Sequence, residues 1–375
     1  MTMRALARLS TLVGSVAAIS VLVSPASAAP PPPAGNDFVQ TNLVSNRADQ
    51  GAQIVDANLL NPWGLAFGPT TPLWVADNNA GVATVYGVSP GGTTVTKLNL
   101  TVRLKSARKA TGDGPSPTGQ VFNPTSGFVV HSMKGSGPAL FIFSSESGRI
   151  IAWSPMADPI SAGMSTGQVE FRSPTAVYKG LAIGTAGHRT FLYATNFHAG
   201  TVDVFNSHFR KVHLAGRFRD PRIPRHYAPF GIQAIGGRLV VTFAKQDATK
   251  HDDVAGPGHG FIDVFTTSGR LVKRLASRGT LNSPWGLALA PAGFGRFSHK
   301  LLVGNFGDGR INGFNPITGQ FIGRLHDTKG EAISIDDLWG LRFGTATTGG
   351  THTLLFSAGI NDEKDGLVGS INAAH

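Results

Sequence analysis

The chain of 375 residues has no cysteine at all, and only 15% of its residues are charged. Lacking cysteine, it can form no disulfide, thiolate metal site or cysteine nucleophile, although an extracellular home stays open. Acidic residues are scarce, 22 against 33 Lys and Arg. After the amino-terminal stretch no apolar run is long enough to cross a bilayer as a helix, which takes about 20 residues. Two further absences narrow the chemistry. There is no G-x-S-x-G elbow and no Walker loop, so serine-nucleophile and nucleotide-binding readings have no footing. What is plentiful is glycine, with 48 residues, and proline, with 23. That balance suits an all-β chain with many tight turns.

The first 28 residues read as a secretory signal peptide. Arg4 and Arg8 form a basic head, residues 12–23 an apolar core, and Ala26-Ser27-Ala28 a small-residue cleavage site. Residues 29–36 follow as a proline-rich spacer, and residues 37–375 as the folded domain. The mature protein is therefore expected to be secreted, extracellular or periplasmic, as a monomer with no transmembrane segment. Cleavage removes two positive charges from a formal +11, so the surface stays basic. A basic exported surface favours anionic partners such as acidic glycans or cell-wall polymers, and export argues against nucleic acid. The charge is spread over many loops, which is equally the pattern of a solvated surface.

Residues 282–319 set the repeat: short runs of Leu, Val, Ile and Phe separated by Gly-rich turns, each too short for a helix. Its leading motif, Ser283-Pro284-Trp285-Gly286-Leu287, aligns with five others. These are Asn61-Pro62-Trp63-Gly64-Leu65, Asn123-Pro124-Thr125-Ser126-Gly127-Phe128, Tyr178-Lys179-Gly180-Leu181, Ala228-Pro229-Phe230-Gly231-Ile232 and Asp337-Leu338-Trp339-Gly340-Leu341. Each copy has room for four strands except the sixth, which stops after three. Residues 38–44 alternate as a strand and have no other partner, so they supply the missing outer strand. The expected fold is an all-β, six-bladed β-propeller of four-stranded blades, closed by this amino-terminal strand.

In such a ring the loops leading into the inner strands share a face with those joining second to third strands. Asn196 and Asn305 gather there as candidate ligand groups, and Asn and Asp are also ordinary turn residues. Two segments interrupt the pattern: the basic residues 105–117 and an insertion at residues 247–260. The insertion collects Asp247, His251, Asp252 and Asp253, a set suited to a divalent cation, Ca²⁺ first, or to a His/Asp acid–base pair. A self-capped loop is the competing reading. The position before the inner-strand glycine carries Trp63, Phe230, Trp285 and Trp339, with Lys179 and Ser126 facing them. Turned to the channel mouth, the aromatics would make a stacking platform opposite a cation; turned inward, they would plug the channel.

The motifs Pro62-Trp63-Gly64-Leu65-Ala66 with Leu73-Trp74-Val75-Ala76-Asp77, and Pro284-Trp285-Gly286-Leu287-Ala288 with Leu301-Leu302-Val303-Gly304-Asn305, resemble NHL-type and gluconolactonase-like propellers. The stretches at residues 42–46, 61–68, 244–254 and 338–341 resemble an uncharacterised family of secreted bacterial propellers, some associated with PEP-CTERM sorting. The resemblance implies fold and export and no activity. In the lactonase-like enzymes several positions before the inner-strand glycine hold an Asn or Asp that ligates the catalytic metal. Trp, Ser, Lys and Phe stand there in this chain, which argues against that metal site. The leading expectation is an exported binding protein that engages a carbohydrate, peptide or cell-envelope polymer on its loop-rich face. The alternative is a divalent-metal-dependent hydrolase or lyase on the same scaffold.

Overall fold

The computed structural model describes residues 37–104 and 114–374. The expected signal peptide and spacer, and most of the basic loop at residues 105–117, lie outside the described residues. The described residues form strands and two short 3-10 turns, without an α-helix. The strands assemble into a propeller-like set of small antiparallel sheets. Three sheets have four strands each, beginning at Tyr178–Ala186, Tyr227–Ile235 and Pro284–Leu289. Two similar runs, beginning at Pro62–Ala66 and Pro117–Phe122, fuse into one eight-stranded sheet where Val95–Leu104 pairs in parallel with Met164–Arg172. In the last sheet, Leu338–Phe343, Leu354–Ala358 and Leu367–Ala373 are joined by Asp37–Ser45, antiparallel to Leu367–Ala373. The amino-terminal strand thus fills the place left open by the truncated last repeat and covers an edge that would otherwise stay unpaired.

Middle strands such as Phe141–Ser145, Leu301–Asn305 and Leu354–Ala358 are buried along their whole length. Both of their faces are covered by neighbouring sheets, so they read as continuous apolar runs rather than alternating ones. The core accordingly lies in wedges between sheets. One wedge packs Val240, Ile262, Leu287, Val303 and Phe314; another packs Phe38, Leu302, Ile311, Leu338 and Ile371.

The innermost strands touch in chain order, and Leu338–Phe343 returns to Pro62–Ala66. Each contact is made at a glycine: Gly64, Gly119, Gly180, Gly231, Gly286 and Gly340. A Cβ on any of them would come closer than 3.0 Å to the next inner strand or to its own sheet. None of the six has a left-handed φ, so space and not backbone conformation requires glycine. Beside each glycine the pairing to the second strand slips by a bulge. At Gly180, Gly231 and Gly340 the freed N–H donates to a hydroxyl of the second strand. Thr195 Oγ1 accepts from the Gly180 N–H at 2.6 Å and donates to the Phe230 carbonyl at 2.7 Å. Ser357 Oγ accepts from the Gly340 N–H at 2.9 Å and donates to the Trp63 carbonyl at 2.6 Å.

One repeat is corrected. The second inner strand is Pro117–Phe122, with Gly119 at the contact, and not the motif at residues 123–128. That motif is a turn held by Asn123, whose Nδ2 donates to the carbonyls of Thr125, Gly127 and Ala139. The residue at the axis is therefore Thr118 instead of Ser126. Ser116, ahead of Pro117, shares a left-handed backbone with Asn61, Ser283 and Asp337 ahead of their inner strands.

Gly231→Ala, which must push its methyl into the Trp285 carbonyl, is expected to destabilise the protein by about 1–3 kcal/mol. Gly87→Ala, whose methyl meets nothing closer than 3.9 Å, should be near neutral. Urea unfolding of the two variants beside wild type checks both, and equal effects would remove the close-contact account.

Candidate functional site

The aromatic residues expected at the channel mouth do converge, but they are buried. Trp63 is 2% exposed, Trp339 1%, Trp285 9% and Phe230 0%. Trp63 and Trp339 stack with ring centroids 3.4 Å apart, and Trp285 meets both edge-on at 5.9 and 5.7 Å. Phe306 stacks on Trp339 at 4.1 Å, and Phe197 packs on Phe230 at 5.1 Å. The open platform is thus corrected to a plug: the faces a ligand would stack on are spent on one another. Asn61 Oδ1 caps it by accepting from Trp339 Nε1 at 3.1 Å.

Lys179 lies against this plug. It precedes Gly180 on its inner strand, so the bulge aims it at the axis, where its side chain is only 2% exposed. Its ammonium lies 5.1 Å from the Trp63 ring centroid, a cation–π contact. It also lies 2.5 Å from Glu146 Oε1 and 3.1 Å from Asp252 Oδ1. Glu146 comes from the turn between Phe141–Ser145 and Arg149–Trp153, and its other oxygen accepts from Asn78 Nδ2 at 3.0 Å. Asp252 comes from the insertion between Arg238–Lys245 and Gly260–Thr266 and also bonds His251 Nδ1 at 2.9 Å. Three chain-distant segments thereby meet on one cation. Glu146 was not among the sequence candidates. Its signal was a glutamate in a turn where other copies carry Asn or Asp.

The remaining candidates divide. Asp247 is taken up by its own loop: its carboxylate accepts from the His251 N–H at 2.9 Å and from the Thr249 hydroxyl at 2.5 Å. That is the self-capped arrangement, and it takes Asp247 out of the ligand cluster. Asp253 turns inward, with Oδ2 buried and unpartnered among the described residues. Asn196 accepts from the backbone of Val177 and Ala199 and donates to Asp203, so it serves the turn. Asn305 likewise donates to Thr280 and Asp308. Neither is presented to a ligand.

The charges follow from geometry. Burial pulls the Lys179 ammonium down, but the carboxylates of Glu146 and Asp252 outweigh it and hold its pKa above the usual lysine range. The hydrogen bond from His251, helped by Lys179, holds Asp252 below the usual carboxylate range, and the same bond raises His251. Burial pushes Asp253 up to about 6 and Glu363, which accepts from Asn61 Nδ2, up to about 7. Donor atoms of Glu146, His251 and Asp252 lie within 4.8 Å of one another, so among the described residues these three could share a metal ion. Two of them already share an ammonium, and a divalent ion there would face its repulsion. From this cluster a cleft of about 1010 Å³ opens, with Ser116, Glu146, Arg149, Arg172, His198 and His251 among its lining.

Lys179→Met strands the largely buried Glu146 carboxylate and is expected to cost about 3–5 kcal/mol. Asp252→Asn, with a side chain 65% exposed, should cost no more than about 1 kcal/mol. Chemical denaturation compares the two, and a Lys179→Met variant as stable as Asp252→Asn would refute the central role given to the ammonium.

No family model matches the chain. Two proteins of Acanthamoeba polyphaga mimivirus are similar to most of it: "Uncharacterized protein R648", 32% identical over 335 residues, and "Uncharacterized protein L690", 34% identical over 335 residues. The match covers 88% of this chain in both cases, with 78% of the first and 84% of the second. These relatives lend no support to the PEP-CTERM association. Among solved structures, virginiamycin B lyase from Staphylococcus aureus is similar with TM-score 0.51 and 13% identity, over 90% of this chain and 100% of that one. The PQQ-bound aldose sugar dehydrogenase from Streptomyces coelicolor has TM-score 0.51 and 15% identity over the same shares. At such identities the likeness shows a propeller-like fold and nothing of the chemistry.

Proposed function

The chain belongs to the family of these two mimivirus proteins, and on that scaffold we propose an exported six-bladed propeller that binds an acidic carbohydrate polymer on its loop-rich face. The observation that carries the reading is the cleft of about 1010 Å³ beside Lys179. Hydroxyls of Ser116, Ser147, Ser173, Thr175 and Thr249 line it together with Arg149, Arg172, His198 and His251. Hydroxyls and imidazoles suit a polyhydroxylated chain, and guanidinium groups suit its carboxylates. The basic balance of the whole chain points the same way. Glu146, held in place by Lys179, acts as part of the fixed inner wall rather than as a reacting group.

The pH dependence has a definite sign. As pH falls from about 8 to about 5.5, His251 gains positive charge while Glu363 and Asp253 lose negative charge. The site becomes more positive, so an anionic ligand binds more tightly, by on the order of tenfold. Titration calorimetry with oligogalacturonate at the two pH values, repeated with Arg172→Ala/His251→Ala, reads this out. Tighter binding at high pH, or no loss in the double variant, would overturn the reading. Binding of an acidic peptide but not of the sugar would replace its ligand class.

The second reading, a divalent-metal-dependent hydrolase or lyase, is favoured by the Glu146, His251 and Asp252 cluster. The Lys179 ammonium opposes it. Metal analysis of the purified protein separates the two. A substoichiometric metal content supports the binding reading; one divalent ion per chain, lost in His251→Ala, would move the assignment to the metalloenzyme.

A further inference from the structure

At the far end of the inner strands, away from Lys179, a funnel of about 790 Å³ opens among the turns that lead to the second strands. Its wall is apolar: Phe67, Phe122, Ile183, Ile235, Leu289 and Phe343. It narrows at Gln233, Leu287, Leu341 and Arg342, which also line a small cavity of about 40 Å³ beneath Trp285. Two polar side chains at this neck have no hydrogen-bond or ion-pair partner among the described residues. Arg342, half-buried, has neither ion pair nor side-chain hydrogen bond among the described residues; its guanidinium lies over the Phe67 ring, 4.8 Å from carbon to centroid. Gln120, 4% exposed, has both amide atoms buried without a partner among the described residues and lines the same small cavity.

A guanidinium in an apolar throat is costly unless something meets its charge. Burial alone pulls Arg342 down to about 10, with no carboxylate near enough to pull it back, and it remains charged at neutral pH. On the plug side Lys179 has two acids; at this mouth Arg342 has none among the described residues. The vacancy in its pairing has a shape. An anion reaching it must cross apolar wall, so the ligand carries one charge at one end and hydrocarbon behind it. A single planar, bidentate fork matches one carboxylate better than a phosphate dianion, which calls for more positive charge than one arginine supplies. The volume is that of an ordinary small-molecule site.

We propose that this funnel is a second ligand site, taking an amphipathic monocarboxylate with its head on Arg342 and its tail against Phe67, Phe122 and Phe343. Gln120 offers its amide to the head group from the cavity beyond. The site is separate from the loop-face cleft, because the aromatic plug stands between them, and it does not rest on the carbohydrate reading.

Titration calorimetry of the purified protein with dodecanoate, below its micelle concentration, tests the proposal, with dodecanol as the uncharged control. Saturable binding of dodecanoate, at least about tenfold tighter than dodecanol, is expected. Arg342→Gln should remove that preference, and Arg342→Lys should retain part of it through its charge. Excess oligogalacturonate should not displace dodecanoate. Absence of saturable dodecanoate binding, equal binding of the alcohol, an unaffected Arg342→Gln variant with native circular dichroism, or displacement by the sugar would each overturn it. If Arg342→Gln does not fold, Arg342→Lys and the dodecanol comparison decide.

Discussion

The structure depends on one repeated contact, the bulge at which each inner strand brings a glycine against its neighbour. The slip in pairing does three things at once. At Gly180 and Gly340 it leaves the glycine N–H for the hydroxyl of Thr195 or Ser357, which in turn bonds a carbonyl of the next inner strand. It lets that strand approach closer than any Cβ would permit. It also turns the preceding residue, Trp63, Thr118, Lys179, Phe230, Trp285 or Trp339, toward the common axis. Spacing, polar satisfaction and the identity of the axial residue are therefore coupled. The scaffold demands the glycine but leaves the residue before it free, and that is where chains sharing this architecture can differ in chemistry.

This chain uses most of that freedom for aromatic packing. Because Trp63, Trp285, Trp339 and Phe230 fill the axis, the molecule has two mouths with nothing passing between them. The plug also supplies a low-dielectric floor for Lys179, strengthening its attraction to Glu146 while raising the cost of leaving either one alone. At the other mouth the same packing leaves Arg342 and Gln120 against apolar wall without a compensating acid. Opposite electrostatic situations thus arise from one feature.

Legibility in the sequence followed how much of the contact a segment displays. Pro62-Trp63-Gly64-Leu65 and Pro284-Trp285-Gly286-Leu287 show the leading proline, the glycine and the following wedge leucine, and their place was readable. Thr118-Gly119-Gln120 has the glycine without the aromatic or the leucine, while Asn123-Pro124 imitates the opening of the motif in a turn. The repeat was consequently set a few residues late. The amino-terminal strand was legible because a truncated last repeat leaves an edge that needs a partner. The charged cluster was only half legible. His251 and Asp252 announce themselves by local density, whereas Glu146 belongs with them only through the ring. Asn196 and Asn305 misled because a turn and a ligand site call for the same side chains. Arg342 gave no signal, since an arginine on a strand is informative only when its surroundings are known to hold no acid.

Lys179 carries the deepest consequence of the axial position. In the lactonase-like propellers that the repeats resemble, several residues before the inner-strand glycine ligate a metal. Here one such residue brings its own positive charge. An ammonium 2.5 Å from Glu146 and 3.1 Å from Asp252 satisfies the carboxylates much as an ion would, but it is tethered and offers no open coordination position. Raised as it is, it gives up no proton near neutral pH, so it serves neither as a base nor as an amine nucleophile. What it can do is hold charge, geometry and a dry floor in place. The carboxylates that burial raises toward neutrality, Asp253 to about 6 and Glu363 to about 7, sit around it, where a ligand would feel them.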